Sequence, residues 1–93
     1  MLQIEQILTI STAHIKESTA KKLDIEPDND DLCLSVYKKA DFGYYIIITD
    51  DIEYELLPEE LANLILFTKD LNCNILCLDC DAEIIPYLPT YDW

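Results

Sequence analysis

The chain has 93 residues, 51% of them hydrophobic, and sets nineteen carboxylates against six lysines and no arginine, for a net charge of -13. Such a field repels nucleic acid, anionic membrane and phosphorylated ligands, and it attracts basic surfaces. The length allows one domain over residues 1–93, and the apolar content is high enough to offset chain entropy, which argues against disorder.

The charge is uneven. Residues 1–40 hold seven acids and five lysines, net -2, whereas residues 41–93 hold twelve acids and only Lys69, net -11. Met1 to Glu5 carries no positive charge before its apolar stretch and no small-residue cleavage site, so no signal peptide is read there. No apolar run approaches the roughly 20 residues of a membrane span. Four cysteines without a secretion signal point to free thiols and a reducing cytoplasm.

Leu2, Ile4, Leu8 and Ile10 alternate with polar residues and predict a strand with one apolar face. Ser11 or Thr12 then caps a helix running to about Asp24, with Ile15, Thr19, Ala20 and Leu23 inward. Residues 25–31 read as an acidic loop. Leu32, Leu34 and Val36 predict a second strand, and Lys38 to Gly43 a turn. Tyr44 to Thr49 is apolar on both faces and is expected at the centre of a sheet.

Asp50 to Glu55 is a second acidic loop. Pro58 opens a second helix, with Glu59 and Glu60 favourable against its dipole and Leu61, Leu64, Ile65, Thr68 and Leu71 as its core stripe. Asn72 ends it, Ile75 to Leu78 is a fourth strand, and residues 82–93 form an irregular apolar tail. The order βαββαβ predicts an α+β fold of ferredoxin-like type, an antiparallel sheet with both helices on one face and the first and third strands central. The far face would carry Ile7, Tyr37, Tyr45, Ile47 and Cys77, too apolar to stand bare. The tail is the expected cover; a partner or a second copy of the chain, as a homodimer, is the alternative.

Several groupings suggest chemistry. Cys73, Cys77 and Cys80 spell C-x3-C-x2-C, a formal match to a three-thiolate iron–sulfur motif. A strand around Cys77 would point neighbours to opposite faces, and paired C-x2-C knuckles for zinc are missing. Buried apolar thiols are the expected reading, with no metal and no cofactor. Ser11, Thr12 and His14 with a carboxylate would suit a hydrolase, but no Gly-x-Ser-x-Gly elbow exists, and a structural histidine is expected. Asp79, Asp81 and Glu83 offer oxygen ligands but lack a calcium-loop pattern. No catalytic residue is assigned.

Asp50, Asp51, Glu53, Glu55, Glu59 and Glu60 put six acids in eleven residues. They read either as a solubilising surface or as a docking face for an Arg/Lys-rich partner, including the DNA channel of a nucleic-acid enzyme, with Leu66 and Phe67 as an apolar anchor. The helix opened by Ser11 and His14 and the aromatic tail with Tyr91, Asp92 and Trp93 are expected to meet, with Asp92 against His14.

Four segments are familiar together: Ile10 to Ile15, Leu57 to Leu61, Cys73-Asn74 leading to Leu78-Asp79-Cys80-Asp81, and the terminal Leu88 to Trp93. The chain resembles a family of small bacterial proteins from plasmids, prophages and integrated elements, catalogued as domain of unknown function 5983. The resemblance covers nearly the whole chain; its two end motifs are fairly specific and its middle is not. Members of that family carry Arg between the two aspartates, where this chain has Cys80, which counts further against a cysteine cluster. The resemblance implies a mobile-element setting and supplies no activity, cofactor or catalytic residue.

The expected function is therefore that of a non-enzymatic, acidic cytoplasmic protein that binds a basic protein surface, without contacting nucleic acid or membrane. The implied setting suggests an anti-CRISPR or anti-restriction inhibitor. The alternative is a small enzyme or ligand-binding domain using His14 with Asp79 or Asp81.

Overall fold

The computed structural model describes residues 4–24, 28–29 and 34–92. In chain order it holds β1 (Ile7–Ser11), a 3-10 turn (Thr12–His14), α1 (Glu17–Leu23), β2 (Asp28–Asn29), β3 (Leu34–Lys39) and β4 (Gly43–Ile47). A second 3-10 turn (Tyr54–Leu56), α2 (Glu59–Asp70) and β5 (Ile75–Asp79) follow.

The α+β class holds; the ferredoxin-like antiparallel sheet does not. β5 lies between β1, which it pairs in parallel with Ile7 opposite Ile75, and β4, which it pairs antiparallel with Ile47 opposite Ile75. β3 and β4 form a hairpin, and the two-residue β2 extends the edge beyond β3, giving a mixed sheet ordered β1-β5-β4-β3-β2. A ferredoxin-like order would put the first strand inside and the last at the edge. The physical reason for the exchange is burial. Ile75 to Leu78 are all buried and need neighbours on both edges, whereas β1 leaves Ile7 and Thr9 exposed. β4 is central, as its two-sided apolar sequence requires.

Register places Leu8, Ile10, Leu76, Leu78, Tyr44, Ile46 and Val36 on one face. Both helices cover it, α1 through Ala20 and Leu23, and α2 through Leu61, Leu64 and Ile65. Each such fully buried Leu or Ile contributes about 1.5–3 kcal/mol of apolar transfer. Thr68 is buried on α2, and its hydroxyl donates to the Leu64 carbonyl at 2.7 Å, so the polar atom is satisfied. Two boundaries differ from expectation. Ser11 caps the separate 3-10 turn, and α1 begins only at Glu17. Leu71 lies past the end of α2 and is exposed, because Asn72 at φ 61° turns the chain away there.

Ile7, Tyr37, Tyr45, Ile47 and Cys77 do share the opposite face. Among the described residues the tail does not cover it. Ile85 and Leu88 pack on the helix-side core instead, and Tyr87 meets Phe67 edge-to-face at 6.2 Å. The stem of Lys39 crosses part of that far face, its Nζ 5.7 Å from the Tyr45 ring centroid and 3.8 Å from Cys77 Sγ. Ile7 and Tyr37 remain half exposed. Among the described residues no helix is long and apolar enough to cross a membrane.

Candidate functional site

The end of β1 turns sharply because Ser11 Oγ accepts the Ala13 N–H at 3.0 Å, closing the short 3-10 turn. That turn carries His14 inward until it is 1% exposed. The ring meets the C-terminal tail, which has folded back. Ile85 N–H donates to Nε2 at 2.9 Å, so Nε2 is the bare nitrogen. Nδ1 then carries the proton and donates it to the Pro89 carbonyl at 2.7 Å. Two backbone bonds flank this staple: Ser11 N–H to the Glu83 carbonyl at 3.1 Å and Tyr91 N–H to the Ala13 carbonyl at 2.8 Å. The expected meeting of the two end motifs is present, but the partners of His14 are tail backbone atoms, not the carboxylate of Asp92. A backbone carbonyl and N–H leave no signature in a sequence.

Glu60 is the second unforeseen element. It is buried at the start of α2. Its Oε2 accepts the Lys16 N–H at 3.0 Å and the Thr19 hydroxyl at 2.5 Å, so it satisfies the opening of α1 from another helix. Burial pushes the Glu60 carboxyl up, but the Thr19 hydroxyl, the Lys16 N–H, its own N–H and the Lys16 charge together outweigh it and hold the group below the usual glutamate value of 4.5. Glu60 therefore contributes stability in full above pH 4.5 that is lost as pH falls through its lower folded value. Urea unfolding across that range should show Glu60→Gln less stable than the parent at neutral pH, with the gap closing in acid. A gap independent of pH would dismiss this role.

Two hollows flank the tail, and Tyr91 lines both. One, of about 520 Å³, opens at the ends of β1 and β5, between Ser11, Thr12, Phe42, Cys80 and Ile84. The other, of about 270 Å³, lies between α2 and the tail, with Glu59, Glu60, Asn63, Leu64, Leu88 and Pro89 in its wall beside His14 and Lys16.

The acidic segment is not one patch. Asp50 pairs with Lys69 at 3.3 Å, near the C-terminal end of α2, whereas Glu59 stands at the N-terminal end, about 15 Å along the helix. Asp50, Asp51, Glu53, Glu55 and Glu59 are exposed, and Glu60 is removed from the surface set because its carboxylate is committed inside. Leu66 is exposed on α2, while Phe67 is half-buried against Tyr87.

The hollow that His14 lines has Glu59 and Glu60 in its wall rather than Asp79 or Asp81. Asp79 pairs with Lys39 at 2.6 Å and accepts the Asp81 N–H at 2.8 Å. The Lys39 contact, then the Asp81 N–H, hold the Asp79 carboxyl below its usual range. The same bond to Asp79 holds Lys39 above its own. Donor atoms of Asp79, Cys80 and Asp81 lie within 4.8 Å of one another, but the lysine already occupies Asp79. Cys77 is buried in β5, Cys73 half-buried before it and Cys80 exposed after it, and the three thiols do not gather. Cys33, Trp93 and most of the first acidic loop lie outside the described residues.

The family model for the C-terminal domain of a family of unknown function, DUF5983, matches residues 7–93. The chain belongs to that family. Comparison with curated proteins and comparison with solved structures each found no match. In this DUF5983 domain the His14 staple joins the segment Ile10 to Ile15 to the tail segment Leu88 to Asp92.

Proposed function

We propose that this domain is a non-enzymatic, acidic protein-binding module that docks a basic protein surface. The observation that carries the reading is the set of exposed carboxylates at Asp50, Asp51, Glu53, Glu55 and Glu59, with Leu56 exposed among them and Leu66 exposed on α2. Lys69 is the one cation in residues 41–93, and its pairing with Asp50 is solvent-exposed, so these carboxylates keep most of their charge. Exposed Leu56, between Glu55 and Glu59, supplies contact area that a purely solubilising surface does not need. The non-enzymatic half of the reading is supported by His14, both of whose ring nitrogens are held by tail backbone. Within a cytoplasmic, mobile-element setting, the partner class that fits is a nucleic-acid-handling enzyme of host defence, its basic channel met by carboxylates in place of phosphates.

The test is a binding assay of the domain against purified restriction and CRISPR effector nucleases at low and high salt. Association with the true partner should slow steeply as salt rises, because exposed charges are screened over about 8 Å at physiological ionic strength. Replacing Asp50, Asp51, Glu53 and Glu55 together by their amides should slow association about tenfold with little change in Tm. Rates indifferent to both salt and these changes would remove the inhibitor reading.

A further inference from the structure

We infer that the 270 Å³ pocket beside the tail is the seat for one alkyl guanidinium, an arginine side chain of the basic partner. This rests on the docking reading above and gives it a specific anchor.

The wall chemistry selects the ligand. Leu64, Leu88 and Pro89 form an apolar side suited to a methylene stem. Glu59 offers an exposed carboxylate, Glu60 adds its negative charge to the wall while its Oε2 stays on the Lys16 N–H and the Thr19 hydroxyl, and Asn63 offers an amide oxygen. Two acids face a single lysine there, so the pocket rejects anions. The remaining wall is Tyr91, and its ring already takes a cation: the ammonium of Lys16 stands 5.7 Å from its centroid. That contact is a working sample of what the ring face binds. Lys16 is exposed and long, so it can withdraw. A guanidinium stacks flat on an aromatic ring and is more weakly hydrated than an ammonium, which favours arginine in the exchange. The buried side of the pocket is neutral His14, its bare nitrogen occupied by Ile85 N–H, so it adds no competing charge. The volume lies just under the usual range for small-molecule sites and suits one side chain better than a whole ligand.

The experiment is an amide-resolved NMR titration of the full chain with N-acetyl-arginine amide and with its uncharged isostere, N-acetyl-citrulline amide. The arginine compound should give saturable shifts centred on Asn63, Leu64 and Tyr91, with a Kd of about 1 mM, a value typical of one weak anchor. Citrulline should bind about tenfold more weakly. Glu59→Gln, at an exposed position, should weaken the arginine probe about threefold. Lys16→Gln should tighten it about twofold, by removing the resident competitor while leaving the Lys16 backbone N–H on Glu60.

Equal binding of citrulline, or shifts confined to Asp50–Glu55, would overturn the inference. If the probe fails while a basic nuclease still associates in a salt-dependent way, the pocket assignment falls and the docking reading stands. If the probe seats as expected and no basic protein associates, the docking reading falls and the pocket is left as a site for a free guanidino compound.

Discussion

Gly43→Ala should destabilise the domain by at least about 3 kcal/mol, a large part of the roughly 5–15 kcal/mol that holds a small domain together. Gly43 opens β4 directly opposite Asp79 of β5. A Cβ added there would sit 1.7 Å from the Leu78 carbonyl oxygen, 2.7 Å from its carbon and 3.1 Å from Asp79 Cα. All three atoms are backbone of the strand that anchors the sheet, so no side chain can swing aside. Relief requires β4 to lift from β5, which also strains the Cys80 N–H bond to the Phe42 carbonyl at 2.8 Å. The demand is for space, since Gly43 has no positive φ. Ala40, in the same hairpin, provides the control. It sits at φ 48°, in the left-handed region that suits glycine, so Ala40→Gly should be neutral or gain up to about 1 kcal/mol. Urea unfolding of both variants decides the matter, and a Gly43→Ala protein that unfolds like the parent would sink the argument.

That glycine illustrates what the sequence reveals and what it hides. Gly43 stands out as the only glycine of the chain, at a predicted strand entry, but its neighbour across the sheet is a matter of topology. Local rules read well. Thr19, Ala20 and Leu23 of α1, Leu61, Leu64, Ile65 and Thr68 of α2, and the stop at Asn72 follow from period and capping, whereas Leu71 falls outside the stripe and Pro58 caps α2 one residue before its first helical position. Strand order does not follow from pattern: the first strand is expected inside and the last at the edge, yet β5 takes the interior place beside β4 and β1 the edge. The decisive difference is the weak second face of β1, which period alone shows only as alternation. At the candidate site, the convergence of Ser11–His14 with the tail was legible from composition, since prolines and aromatics are unusual in a loose terminus. The atoms that make it were not. Glu60 and Glu59 look identical in sequence, yet one is a buried brace for α1 and the other a solvated rim carboxylate.

Truncating the chain after Tyr87 should cost about 2–4 kcal/mol, and His14→Ala a similar amount, with the double variant losing clearly less than the sum. Truncation removes the apolar burial of Leu88, the Pro89 acceptor for Nδ1 and the Tyr91 N–H bond to Ala13. His14→Ala removes both ring bonds and leaves a hole under the tail, since the ring is 1% exposed. The two changes dismantle the same clasp from opposite sides, so their energies must couple. Residues that share a hydrogen bond show interaction energies of about 0.5–3 kcal/mol. The coupling also separates this account from a bland one. If His14 were only a space-filling core residue, and the tail only a lid over Leu64, the losses would add. A double-variant cycle by urea unfolding, with Leu88→Ala as a tail change that touches no ring nitrogen, reads the difference. Leu88→Ala should add to His14→Ala more nearly than the truncation does, because the Pro89 carbonyl stays available. Strict additivity of truncation and His14→Ala would show that the imidazole does not hold the tail.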